Sequence, residues 1–338
     1  MGFLPDSIVL HAAVLIASFF VITKSADFLV DGAVSIAYRL KIPKIVIGIV
    51  LVGFATTAPE FTVSVIASAR GEPQFALGNA IGSVIVDDAV ALALAIVVAP
   101  VAISVDSRVL RRAGFFLIVA DVVAFLLSIN GVLARWEGAI LIAILVAYLS
   151  VVVVQEKKRR LNAEAAETDQ TLAEHLKGTP SGQLLRFLGG VAGVVLASEF
   201  LLDSAKFIAY YLGAPKTVIG LTIIAIGTSL PEIMTCILAS RKGHGDLAVG
   251  DILGADILNI LWIIGTAAVV NPIRVHTTII MFSYPSMIVI VATMLLFMRM
   301  GYRLERWKGF VLFGLYAVFL ALAFFLLLVK GTRILPAG

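Results

Sequence analysis

The stretch "GFATTAPEFTVSV" (residues 53–65) sets two threonines, a proline and a glutamate inside an otherwise apolar run, and "GTSLPEIMTCIL" (227–238) repeats the arrangement. Pro59 and Pro231 each remove a helix hydrogen bond and clash with the preceding turn. In a bilayer the carbonyls so freed must find partners or line a wet cavity. The sequences Thr57-Ala58-Pro59-Glu60 and Ser229-Leu230-Pro231-Glu232 both fit S/T-x-x-E, the capping box of a new helix. A cap is worth about 0.5–2 kcal/mol, whereas an acid at bilayer depth costs about 2.5–3.5 kcal/mol or more. Glutamine would cap without the charge. Glu60 and Glu232 therefore read as cation ligands, with Thr56, Thr57, Thr228 and Ser229 adding hydroxyls and the broken backbone adding carbonyls.

The next apolar segment supplies a second wall, "GNAIGSVIVDDAVA" in one place and "GDILGADILNILWI" in the other. Ser83 and Asp87 stand four residues apart, on one helix face; their counterparts are Ala255 and Asn259. Gly78, Gly82, Gly250 and Gly254 are spaced as G-x-x-x-G, which packs helices closely. Asp88 points about 100° away from Asp87 and, with Asp256, is a candidate to stand behind the ligands or carry a proton. Asp251 and Asn79 are expected near helix starts, as caps. Asp27 and Asp31, with their counterparts Glu199 and Asp203, are expected at span ends, against solvent or Lys24 and Lys206. The donors are oxygens. His11, His175, His244 and His276 fall near span ends or in loops, and Cys236 is the only cysteine, expected as a small buried apolar residue. Hard oxygen donors suit Ca²⁺, Na⁺ or Mg²⁺, and a dehydrated protein site points to Ca²⁺ first.

Around these residues the chain is 60% hydrophobic and 14% charged over 338 residues. Apolar runs long enough to cross a bilayer recur throughout, continuous rather than alternating, which excludes a barrel. About ten spans are expected, near 8–32, 44–69, 74–99, 111–129, 136–154, 184–209, 216–240, 246–270, 277–298 and 308–329. The first is read as a span and not as a signal peptide, since no basic region precedes it. Lys and Arg concentrate in alternate loops, which places both termini outside and the charged linker 155–183 in the cytosol; the net charge of +4 is a topology signal and not a nucleic-acid footprint.

A shift of 172 residues lays "SADFLVDGAVSIAYRLKIPKIVIG" (25–48) over "ASEFLLDSAKFIAYYLGAPKTVIG" (197–220), Pro43 on Pro215, Gly48 on Gly220, and Pro59–Glu60 on Pro231–Glu232. Five spans per copy invert the second copy. The expected fold is an all-α polytopic membrane protein, about ten transmembrane helices in two inverted five-helix repeats with broken second helices. Its parts are residues 1–154, the linker 155–183 and residues 184–338. Inverted repeats with discontinuous helices are a transporter architecture with a midplane site.

At "ATTAPE", "GTSLPE", "LGNAIGS" and "VGDILGAD" the chain resembles the cation/Ca²⁺ exchanger superfamily, most closely the prokaryotic Na⁺/Ca²⁺ exchangers, over nearly its whole length. The resemblance implies a secondary antiporter of the plasma membrane that trades cytosolic Ca²⁺ outward for Na⁺ or H⁺ by alternating access, without a cofactor and as a monomer. It implies that Glu60, Glu232, Thr56 and Thr228 hold Ca²⁺, that Thr57, Ser229 and Ser83 add Na⁺ ligands, and that Asp87 and Asn259 complete the centre. Three departures bear on the coupling ion. Asp87 and Asn259 are exchanged relative to the usual Asn and Asp; Ala255 replaces a serine; and "GSN" becomes Gly-Ser-Val84 and Gly-Ala-Asp256. Asp87, being titratable, keeps H⁺/Ca²⁺ antiport open as the alternative. A cation channel would use the same oxygens. An intramembrane hydrolase would need a nucleophile–base pair or two paired aspartates in different spans; no histidine is expected near a serine at depth, and catalysis leaves the duplication unexplained.

Overall fold

The computed structural model describes residues 7–40, 42, 44–163, 179–211 and 225–331. Pro43, Pro215, Gly220 and most of the charged linker lie outside them. Long apolar helices dominate. Helix α1 is Ile8–Leu40, α2 Lys44–Thr56, α3 Ala58–Ala69 and α4 Pro73–Val98. Strand β1 (Ile103–Ser104) and a short helical stretch lead to α5 (Phe115–Ser128), then β2 (Val132–Leu133) and α6 (Arg135–Ala163). The second part runs α7 (Pro180–Tyr211), α8 (Ala225–Thr228), α9 (Leu230–Arg241), α10 (Gly245–Val270), β3 (Ile273–Arg274), α11 (Ile279–Arg299), β4 (Arg303–Leu304) and α12 (Arg306–Gly331). Among the described residues seven helices are long and apolar enough to cross a membrane, and the bent pair α2–α3 makes an eighth.

Local chemistry sets the boundaries. Pro59 lies in the first turn of α3, where its missing N–H costs nothing, and the chain bends by 46° between α2 and α3. Pro231 holds the same place in α9. The turns into α4 and α10 need a left-handed residue, and Gly71 (φ 88°) and Gly243 (φ 80°) supply it. Both α4 and α10 then widen into a π-helical turn, at Asp87–Leu92 and Asn259–Ile263. Such turns re-aim side chains and mark functional positions.

Helices α4 and α10 form the buried centre, while α1, α6, α7, α11 and α12 expose apolar side chains around them. Helix α2 lies against α10 at backbone contact: a Cβ on Gly250 would overlap the Ile45 carbonyl oxygen, and one on Gly254 that of Ile49. Two short antiparallel ladders tie the loops together across the sequence, Ile103 to Leu304 and Leu133 to Ile273.

Candidate cation-binding site

The capping box does not form. Thr57 and Ser229 occupy the N-cap positions of α3 and α9, but neither side chain caps. The Thr57 hydroxyl turns back to donate to the Gly53 carbonyl oxygen. Glu60 and Glu232 are fully buried, and none of their four carboxylate oxygens has a hydrogen-bond partner. The capping use that would have explained these glutamates without a cation is therefore not made.

The two breaks face one another. Glu60 lies within electrostatic reach of Glu232 and Asp87, and Asp87 faces Ser229 from the opposite part of the chain. The Ser83, Ser229 and Asn259 polar atoms are buried beside them without partners. Thr56 is buried where α2 ends, its hydroxyl 3.1 Å from the Val52 carbonyl oxygen and 3.1 Å from Asp251 Oδ1. Thr228 is buried at the matching end of α8. Packing fixes these parts. Trp262, in the π turn that Asn259 opens, stacks on Phe61 of α3 with ring centres 3.9 Å apart. At its far end α3 is held by the Ser68 hydroxyl, which donates to the Ala267 carbonyl oxygen of α10 at 2.6 Å.

Asp251 was misplaced by sequence reasoning. It is the seventh residue of α10, fully buried, and caps nothing. Its carboxylate accepts from Thr56 and from the Cys236 thiol at 3.6 Å, and it acts on Glu232. Its counterpart Asn79 makes the matching contact, Nδ2 to Ser64 Oγ at 3.2 Å. A signal was present: Asp251, Ala255 and Asn259 share the four-residue spacing of Asn79, Ser83 and Asp87, so all three lie along one helix face. Cys236 is buried, but it borders the site through Asp251 and is not a purely apolar filler.

Asp27 and Asp31 are removed from the site. They are part-exposed to solvent, as expected, and meet Lys242 at 3.1 and 2.7 Å; the Lys206 side chain lies outside the described residues. Asp88 and Asp256 are buried on α4 and α10 within electrostatic reach of one another, and Asp256 also of Asp87. Among the described residues no three Asp, Glu, His or Cys side chains are grouped so as to hold a metal ion by themselves.

The profile of the family "Sodium/calcium exchanger protein" matches residues 10–154 and 182–325. This chain belongs to that family. Among relatives of this exchanger-family chain, the inner membrane protein YrbG of Escherichia coli is 34% identical, over 94% of this chain and 98% of its own. The sodium/calcium exchanger MaX1 of Methanosarcina acetivorans is 27% identical, over 94% of this chain and 100% of its own. A solved structure of the sodium-calcium exchanger NCX_Mj superposes with a TM-score of 0.80 at 24% identity, over 93% of this chain and 99% of that one, a likeness of fold. The family member described here is thus a multi-pass membrane protein of transporter type, handling inorganic cations.

Proposed function

We propose that this chain is a secondary active antiporter that moves Ca²⁺ across the cell membrane in exchange for Na⁺ by alternating access. The observation that carries the proposal is the pair Glu60 and Glu232, fully buried, facing each other across two helix breaks and without hydrogen-bond partners. Ca²⁺ is their substrate, held with Thr56 and Thr228; Thr57, Ser229 and Ser83 add Na⁺ ligands, and Asp87 and Asn259 complete the centre. The sodium/calcium exchanger MaX1, similar over the whole length, supports the choice of ions. All these residues come from one chain, so a monomer suffices.

Ten helices in two inverted halves, residues 1–154 and 184–338 joined by a cytosolic linker at 155–183, give the mechanism. The recurrence of the proline-led helix start, the glycine turn and the π turn supports a repeat. The two ladders support the order of crossings: in a ten-span arrangement β1 and β4 belong to loops of one side and β2 and β3 to loops of the other, as paired; the choice of sides, with both termini outside, rests on the Lys and Arg asymmetry. Halves built alike but facing opposite ways can exchange conformations, which opens the site to one side and then the other.

A second reading, H⁺/Ca²⁺ antiport, is favoured by Asp87, a titratable group where Asn259 stands in the other half. Uptake of ⁴⁵Ca²⁺ into proteoliposomes, with Na⁺ and pH gradients imposed separately, distinguishes them. Uptake driven by outward Na⁺ alone supports Na⁺ coupling; uptake driven only by a pH gradient supports the second reading; uptake under neither contradicts both.

A further inference from the structure

Lys242 closes α9, and its ammonium lies 3.1 Å from the Asp27 carboxylate and 2.7 Å from that of Asp31, both on α1. It also donates to the Asp27 carbonyl oxygen at 3.3 Å. Asp27 and Asp31 stand four residues apart on one face of α1, so one lysine meets both. The 172-residue shift lays Lys242 on Arg70, Asp27 on Glu199 and Asp31 on Asp203. All three charges keep their sign in the second copy.

The local backbone is kept as well. Arg70 closes α3 as Lys242 closes α9, with φ −84° and ψ 4° against φ −80° and ψ 1°, and each precedes a left-handed glycine. The partners differ. Helix α1 packs along α9, and Lys242 fastens it there. Among the described residues neither Arg70 nor Glu199 makes an ion pair, and Arg70 is exposed. Topology does not account for Arg70, because it falls in an outer loop, where Lys and Arg are sparse. The two acid-bearing helices are also pressed together: a Cβ on Gly32 of α1 would overlap Phe187 of α7, and one on Gly190 of α7 would overlap Leu29 of α1. What fastens one of them therefore constrains the other. An exposed ion pair adds little to stability, but a small energy is enough to bias two conformations of similar energy.

Resting on the inverted-repeat reading of the proposed function, we infer that Lys242 with Asp27 and Asp31 is one of two alternating latches, and that Arg70 forms the other with Glu199 and Asp203 when the site faces the opposite side. The Lys242 latch fastens α1 to the inner end of α9, and the Arg70 latch fastens α7 to the outer end of α3. Halves that exchange conformations exchange these contacts, so one latch forms as its counterpart opens. The six are positioning residues: they touch no transported ion and set how often the site faces each side.

The test is cross-linking of the full-length chain in proteoliposomes, on a Cys236→Ser background. Two cysteines reach less far than a lysine and an acid, so a bifunctional thiol reagent with a short spacer joins them. Arg70→Cys with Glu199→Cys reports approach at the outer latch. Lys242→Gln should speed cross-linking of that pair about threefold, the scale on which one exposed ion pair shifts a two-state balance. Asp27→Asn with Asp31→Asn should do the same, whereas Lys242→Arg, which keeps the charge, should not. A role in stability alone leaves the approach of two residues at the opposite face unchanged, and size-exclusion profiles check the fold. The latches are overturned if the outer pair never cross-links, or if its rate is unchanged or lower with Lys242→Gln. Faster cross-linking beside an unsubstituted chain that carries no ⁴⁵Ca²⁺ under either gradient would sink the antiporter and leave the latches standing. Na⁺-driven uptake beside an unchanged cross-linking rate would do the reverse.

Discussion

At the scale of single residues, the position of a charge matters less than what meets it. Glu60 and Asp251 are both fully buried acids, but only Asp251 has a hydroxyl donor, Thr56. A threonine hydroxyl has one proton. Given to Asp251, it leaves the oxygen lone pairs free for a cation, so Asp251 adds charge and orients a ligand. Asp251→Asn is therefore expected to weaken apparent Ca²⁺ affinity about tenfold, on the order of 1.4 kcal/mol, with a smaller effect on maximal flux; the KM of ⁴⁵Ca²⁺ uptake measures it, and an unchanged KM refutes the role. Asp87 makes a different prediction. A proton on it removes a ligand charge, so transport is expected to slow as pH falls and Asp87→Asn to flatten that profile. Initial flux across a pH series decides it, and an unaltered profile places the titrating group elsewhere. The glutamates, the hydroxyls and Asp87 stand out as candidates in the sequence because a proline and a charge inside an apolar run demand explanation. Asp251 does not, because its nearness to a turn suggests a cap, whereas the structure buries it mid-helix against Thr56.

At the scale of elements, the breaks were legible and the finer devices were not. Pro59 and Pro231 announced the two breaks, and the structure puts both in the first turn of a new helix. The π turns at Asp87 and Asn259 had no sequence signal, because an inserted residue leaves composition and apolarity unchanged. The two-residue strands are too short for any alternating pattern to show. The G-x-x-x-G reading has a direct consequence at Gly250, where the α2 backbone leaves no room for a methyl group. Gly250→Ala is expected to destabilise the protein by roughly 1–3 kcal/mol, the usual cost of overpacking, and to lower its melting temperature in detergent. Gly71→Ala tests the other glycine role. A Cβ there meets open space but the φ of 88° is strained, so it should cost less than Gly250→Ala. Equal melting temperatures for wild type and Gly250→Ala would mean that α2 does not press on α10.

At the scale of the whole molecule, the duplication connects sequence to mechanism. The register that lays Pro59–Glu60 on Pro231–Glu232 also lays Gly71 on Gly243 and Asp87 on Asn259, and in each pair the structure has the same local device. What the register could not convey is how the halves meet, since contacts such as Lys242 with Asp27 and Asp31 join residues far apart in sequence. The proposed sidedness has its own test. On a Cys236→Ser background, which places in one half the residue Ser64 holds in the other, a cysteine at Ala163 should resist an impermeant thiol reagent in intact cells and react in inverted vesicles. Labelling from outside intact cells would reverse the orientation.

The most direct measurement of the central claim is the initial rate of Na⁺-gradient-driven ⁴⁵Ca²⁺ uptake into proteoliposomes holding wild type, Glu60→Gln or Glu232→Gln, each shown by size exclusion to be folded. Because each glutamate supplies half of a charge pair that Ca²⁺ neutralises, either change alone should reduce uptake at least a hundredfold. Uptake near the wild-type rate in either variant would mean that Ca²⁺ does not pass between these two carboxylates.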